Sequence, residues 1–149
     1  MAAHTSLLYH MVFSTKHHVP LISESLEAEL YPYIGGILRN HRCALLEIGG
    51  MPDHVHLAVS LRPDIEVAQA VGFIKANSSK WINAERPVRG KFHWQTKYAA
   101  FTVSKSDLPA VCEYIRNQKE HHPTKSFQEE LRELLRAHGI EFDERYMWD

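Results

Sequence analysis

Two short apolar runs, Cys43-Ala44-Leu45-Leu46-Glu47-Ile48-Gly49 and His54-Val55-His56-Leu57-Ala58-Val59-Ser60-Leu61, flank the segment Gly50-Met51-Pro52-Asp53. Turn-forming residues between two strand-like runs specify a β-hairpin. The hairpin also assigns sides. Residues i and i+2 of a strand share a face, so His54 and His56 stand side by side while Val55 turns away. Two imidazoles on one face can give two nitrogen ligands to one divalent metal. The same pair can simply face solvent in a chain with 11 histidines. Either way it is half a site, and further ligands must come from elsewhere.

Taken in order, the chain predicts an α+β fold. Leu7 to Ser14 reads as a buried strand, and Thr15 to Pro20 as a polar connection with Lys16, His17 and His18. Ser23 opens a helix with Leu26, Leu30, Tyr33, Ile34, Ile37 and Leu38 at helical spacing. Pro32 and Gly35-Gly36 inside it predict a kink or a tight approach to a neighbour. After the hairpin, a second helix is expected from about Ile65 to Ile82, with Val67, Val71, Ile74, Trp81 and Ile82 as its stripe. Asn83 to Lys91 is a basic loop. Phe92 to Trp94 and Tyr98 to Val103 read as a strand or bulged hairpin. Ser104 to Asp107 starts a third helix that runs to His121-His122-Pro123, and Phe127, Leu131, Leu134 and Leu135 mark a last amphipathic helix stopped by Gly139. Strand, helix, strand, strand, helix, strand is the order of a ferredoxin-like, split βαβ (RRM-like) antiparallel sheet with helices on one face. Here it carries appended C-terminal helices. No repeat or boundary divides residues 1–149, which read as one domain.

Composition narrows the classes. The hydrophobic fraction of 44% and charged fraction of 23% are those of a globular domain. Cys43 and Cys112 make neither a disulfide framework nor a zinc knuckle, and fit a reducing cytoplasm. No apolar run is long enough for a membrane span. A net charge of −1 argues against indiscriminate nucleic-acid binding. The charge is uneven, however. Between Arg62 and Lys97 lie seven basic residues (Arg62, Lys75, Lys80, Arg86, Arg89, Lys91, Lys97) and three acidic ones (Asp64, Glu66, Glu85). From Glu113 onward six basic residues face nine acidic ones. The basic middle could track a phosphate backbone, or it could be an ordinary solvated face.

The third helix carries Tyr114-Ile115-Arg116-Asn117-Gln118. Tyr114 and Gln118, four apart, stack one turn above the other beside the Val111/Ile115 stripe. If that edge falls over the histidine strand, His54 and His56 offer nitrogens, Gln118 a carbonyl oxygen and Tyr114 a nucleophile. Such a neutral set suits Mg²⁺ or Mn²⁺ when the substrate brings negative charge.

These residues resemble the single-tyrosine HUH transposases, the small single-strand transposases of bacterial insertion sequences and their repeat-associated relatives. The resemblance runs through nearly the whole chain. It includes Tyr9 to Lys16, Gly49 to His56, Trp94-Gln95, and Tyr114 to His122, with no departure at the ligand or nucleophile positions. It implies a transposase that cuts and rejoins single-stranded DNA by metal-dependent transesterification, with Tyr114 forming a 5′-phosphotyrosine and leaving a free 3′-OH. It further implies His54, His56 and Gln118 as ligands of Mg²⁺ or Mn²⁺, recognition of DNA hairpins at element ends, and a homodimer in which Tyr114 serves its own subunit or its partner.

Each residue has a plainer reading as well. Tyr114 could pack its ring against the sheet, and Gln118 could be a surface polar group. His121 and His122 could complete a metal site or neutralise the last carbonyls of their helix. His10 is either a core histidine or one that orients a ligand from behind. Trp81 fits the core. Trp94 and Tyr98 divide evenly between packing and base stacking. Lys75, Lys80, Arg89 and Lys91 are the candidates for backbone contacts. A non-catalytic or domesticated hairpin-binding module of the same fold is the alternative function. A small-phosphoester hydrolase would need a water-activating base that the sequence does not offer.

Overall fold

The structure is a computed structural model describing residues 3–121 and 125–148, with the backbone alone at His121. Strands β1 (Leu8–Ser14), β2 (Ala44–Met51), β3 (His54–Ser60) and β4 (Ala99–Val103) form one antiparallel sheet in the order β2-β3-β1-β4. Helix α1 (Glu24–Asn40) joins β1 to β2, and α2 (Val67–Glu85) joins β3 to β4. Helices α3 (Leu108–Arg116), α4 (Gln118–His121) and α5 (Phe127–Ala137) follow. The α+β split βαβ arrangement and the β2–β3 hairpin are as the strand pattern predicts. Among the described residues no helix is long and apolar enough to cross a membrane.

Strand alternation divides the sheet into two faces. Met11, Phe13, Val55, Leu57 and Val59 point to one face and bury against Leu30, Ile34 and Leu38 of α1 and Ile74 and Ile82 of α2. Val12 and Phe101 point to the other, where they meet Phe127, Leu131 and Leu135 of α5. The appended helices therefore cover the face that a plain split βαβ sheet leaves open. His54 and His56 lie on this second face, beneath them. Helix α1 passes unbroken through Pro32 and Gly35-Gly36, and a Cβ at Gly35 would stand 3.6 Å from Leu45, an ordinary contact.

Two boundaries differ from the sequence expectation. Helix α2 starts at Val67 and runs to Glu85, and Gln69 closes its first turn by accepting from the Glu66 amide at 3.0 Å. The Phe92–Trp94 segment is no strand. Trp94 makes an isolated bridge to Thr15, because its ring is drawn into the core between Phe13 and Phe92 and its indole N–H donates to Ser78 at 2.9 Å.

Candidate active site

Strand β3 sets the floor of the site. Register places Ser14 beside His54, Val12 beside His56 on β1, and Gly49 beside His56 on β2. At Gly49 a Cβ would lie 2.0 Å from the Ile115 carbonyl oxygen, so only a residue without one lets α3 descend here. The close approach brings the last turn of α3 over the histidines. Arg116 pairs with Glu47 at 2.8 Å, and Lys119 reaches Glu27 at 2.7 Å and the Gly50 carbonyl at 3.1 Å. These contacts tie the segment to β2 and α1.

The single long helix expected through this segment is broken. Helix α3 ends at Arg116, Asn117 leaves helical geometry (φ −97°, ψ 24°), and Gln118 opens α4. The break does not separate the two residues functionally, since Tyr114 and Gln118 reach the same carboxylate. That carboxylate is Glu130 of α5, 1% exposed. Its Oε1 lies 2.8 Å from His56 Nε2 and 3.4 Å from His54 Nε2. Its Oε2 accepts from the Tyr114 hydroxyl and, at 2.9 Å, from the Gln118 amide. Gln118 Oε1 lies 3.1 Å from His54 Nε2.

Both imidazoles are fixed from behind. Asp53 Oδ1 holds His54 Nδ1 at 2.7 Å, and His10 Nε2 holds His56 Nδ1 at 2.8 Å. Both Nε2 atoms are thereby aimed at one point, in the arrangement that metal-ligating histidines use. For His56 Nε2 to be a lone pair, its Nδ1 must carry the proton and donate it to His10. Burial, with His56 beside it, lowers the His10 pKa to about 3, so His10 is neutral and can accept. Burial opposes the charge on His54, but its hydrogen bonds to Asp53 and Glu130 outweigh that and raise its pKa to about 8. Burial, then the bond to Glu130, pushes the Tyr114 phenol above its ordinary range.

His54, His56 and Glu130 each present a ligand atom, all within 4.8 Å of one another and all buried. Two imidazole nitrogens and a carboxylate oxygen fit a divalent cation in ligand type. The sequence reading put His54, His56, Gln118 and Tyr114 together, and the structure brings all four to one place. Glu130 was missed, so the protein donor set is not neutral. Its signal was present: Glu130 sits in the stripe of Phe127, Leu131 and Leu134, where an unpaired carboxylate does not belong. The side chains of His121 and His122 lie outside the described residues.

Two proposed DNA contacts require correction. Trp94 is 7% exposed and has no free ring face for a base. The Lys75 ammonium donates to the carbonyls of Gln95 and Lys97, both at 2.8 Å, and lies over the Phe13 ring, so it is an internal brace rather than a phosphate contact. Lys80, Arg89 and Lys91 are exposed, and Tyr98 is 40% exposed. Trp81 stacks on Tyr33 at 4.4 Å, at the margin of the core. A cleft of about 340 Å³ opens beside Tyr114, with His10, Phe101, Val111, Leu134 and His138 in its walls.

Comparisons with known proteins identify the family. The family described as "Transposase IS200 like" matches residues 3–118. The ISDra2 transposase TnpA of Deinococcus radiodurans is 26% identical over 120 residues, covering 76% of this chain and 85% of its own. The transposase for insertion sequence element IS200 of Salmonella typhimurium is 26% identical over 129 residues, covering 79% and 82%. Two solved structures share the fold. A crystal structure described as a transposase from Deinococcus radiodurans superposes with a TM-score of 0.62 at 24% identity, covering 79% of this chain and 95% of its own. A REP-associated tyrosine transposase bound to a REP hairpin gives 0.61 at 14% identity, covering 100% and 93%. The chain belongs to the IS200-like transposase family.

Proposed function

We propose that this protein cleaves and rejoins single-stranded DNA by transesterification, with Tyr114 as the nucleophile. The observation that carries the reading is Glu130, whose two oxygens meet the Tyr114 hydroxyl on one side and the His54/His56 nitrogens on the other. A nucleophile and a metal-ligand group that share one carboxylate are close enough to act on one phosphate.

His54 Nε2 and His56 Nε2, with oxygens from Gln118 and Glu130, would hold Mg²⁺ or Mn²⁺. When bound, the ion supplies polarisation of the scissile phosphate and of the leaving 3′-oxygen. Asp53 and His10 keep the two imidazoles aimed. The cleft beside Tyr114 gives the strand a way to the hydroxyl. The Tyr114 oxygen forms a bond to phosphorus, the P–O3′ bond breaks, and a 5′-phosphotyrosine and a free 3′-OH result. Attack by a second 3′-OH reverses the step, so the phosphodiester energy is retained in the covalent intermediate.

The REP-bound relative supports a hairpin as the recognised DNA. Lys80, Arg89 and Lys91 are the remaining candidates for its backbone and Tyr98 for a base. A homodimer comes from the family resemblance. All the donors and Tyr114 belong to one chain, so the reading needs no exchanged helix. A non-catalytic hairpin binder is the competing reading, disfavoured by the buried His-His-Glu group, which a binder has no use for.

The test is a hairpin-bearing single strand labelled at its 3′ end and incubated with the protein and Mn²⁺. We expect a labelled covalent adduct that EDTA abolishes and Tyr114→Phe does not form. Retention of the adduct in Tyr114→Phe would reject the nucleophile. Salt-dependent hairpin binding with no adduct at any metal concentration would favour the binding module.

A further inference from the structure

We propose that Glu130 is a catalytic residue, the proton acceptor for Tyr114, contributed by a helix that lies beyond the segment matched to the family. The proposal rests on the transesterification reading above and adds to it the group that frees the nucleophile.

Helix α5 is built to deliver this side chain. Ser126 caps it by accepting from the Glu129 amide at 3.2 Å. Phe127, Leu131 and Leu135 seat it against Val12 and Phe101 on the sheet. Glu130 points from the same stripe into the site. Burying a carboxylate there is unfavourable unless its lone pairs are met. They are met unequally. Oε1 faces the two histidines, whereas Oε2 faces the Tyr114 hydroxyl and the Gln118 amide. Gln118 bonds to both Glu130 and His54, which fixes the carboxylate plane. The division leaves one oxygen for the metal side and one for the phenol.

A phenol, with an ordinary pKa of about 10, is a weak nucleophile until its proton is removed. A base must be within hydrogen-bond reach of that proton, and Oε2 accepts it directly. As the Tyr114 oxygen bonds to phosphorus, its proton passes to Glu130 Oε2. The P–O3′ bond breaks, and the leaving 3′-oxygen takes a proton from solvent. In rejoining, the attacking 3′-OH loses its proton to solvent, the O–P bond to Tyr114 breaks, and Glu130 returns its proton to the phenolate.

The experiment uses the full chain with Glu130→Gln, 3-fluorotyrosine at position 114 for ¹⁹F spectra, and a more acidic trifluorotyrosine at 114 for kinetics. In metal-free protein, Glu130→Gln should move the ¹⁹F signal, and the exposed neighbour change Glu129→Gln should not. Adduct formation in one turnover at saturating Mn²⁺ should fall about 100-fold or more in Glu130→Gln, the usual loss for a general base. Trifluorotyrosine should recover at least tenfold of it. Formate should do the same in Glu130→Ala if that variant folds, and the Gln variant suffices if it does not. Mn²⁺ titration by calorimetry checks that saturation is reached. A wild-type adduct rate in Glu130→Gln would overturn the proposal, as would a loss that the acidified tyrosine leaves unchanged, which would make Glu130 a metal ligand only. Adduct formation by Tyr114→Phe would instead overturn the assignment of Tyr114 as the nucleophile, on which the proposal rests.

Discussion

The carbonyl oxygen of Ile115 occupies the space that a side chain on Gly49 would need, 2.0 Å from where its Cβ would stand. This approach lets α3 lie directly on the β2 edge of the histidine strand, with Tyr114 one residue back along the helix. Gly49→Ala must push α3 away. Overpacking of this kind costs about 1–3 kcal/mol. The variant should stay folded, with a lower thermal midpoint, and should lose adduct formation by at least tenfold while hairpin binding persists. Melting curves and the labelled-strand assay read the two effects separately. Unchanged activity would mean that α3 can tilt without moving Tyr114.

His10 and His56 share a buried hydrogen bond of 2.8 Å. His10 sets which nitrogen of His56 carries the proton. His10→Phe keeps the ring bulk beside Phe101, 5.8 Å away, and removes the acceptor. Mn²⁺ affinity measured by calorimetry should fall about 10- to 100-fold, the range for loss of a partner behind a ligating histidine. An unaltered affinity would return His10 to the role of a core residue.

The Asp53–His54–Glu130 contacts make the metal-free protein sensitive to pH. His54 has a pKa raised from 6.5 to about 8, so its protonated form is favoured by folding. The stability this contributes is fully present below pH 6.5 and is lost as pH rises through 8, on the order of 2 kcal/mol. Urea denaturation in EDTA at pH 6 and pH 9 should show the decline, and Asp53→Asn should flatten it. A wild-type profile as flat as that of the variant would remove this account of the pair.

Lys75 carries the opposite sign. Burial lowers its pKa from 10.5 to about 8, so the unfolded chain holds the proton more tightly. Its contribution to stability therefore rises as pH climbs from about 8 to 10.5 and falls away as pH drops through 8. Lys75→Met should abolish that rise. It should also destabilise the protein by about 1–3 kcal/mol, because the carbonyls of Gln95 and Lys97 lose a donor. Hairpin affinity should not change. A clear loss of affinity in a folded variant would restore Lys75 as a DNA contact.

The sequence by itself determined what is local. Helical spacing predicts Tyr114 and Gln118 on one helix, which the break at Asn117 overturns, but a period of two put His54 and His56 on one face, and the order of strands and helices gave the α+β sheet. These relations depend on backbone geometry over a few residues, which survives whatever the rest of the chain does. Tertiary structure decided which surfaces meet. Glu130 stands 74 positions from His56, and its place in the site depends on how α5 lies across the sheet. The helix break at Asn117 is flanked by contacts that tie Arg116 to β2 and Lys119 to β2 and α1, and no strong breaker marks it in the sequence. Lys75 and Trp94 look like DNA-binding residues in sequence because charge and aromaticity do not report burial. Phe13, Phe92 and Ser78 surround Trp94, the Gln95 and Lys97 carbonyls and the Phe13 ring hold Lys75, and both settings are properties of the packed chain.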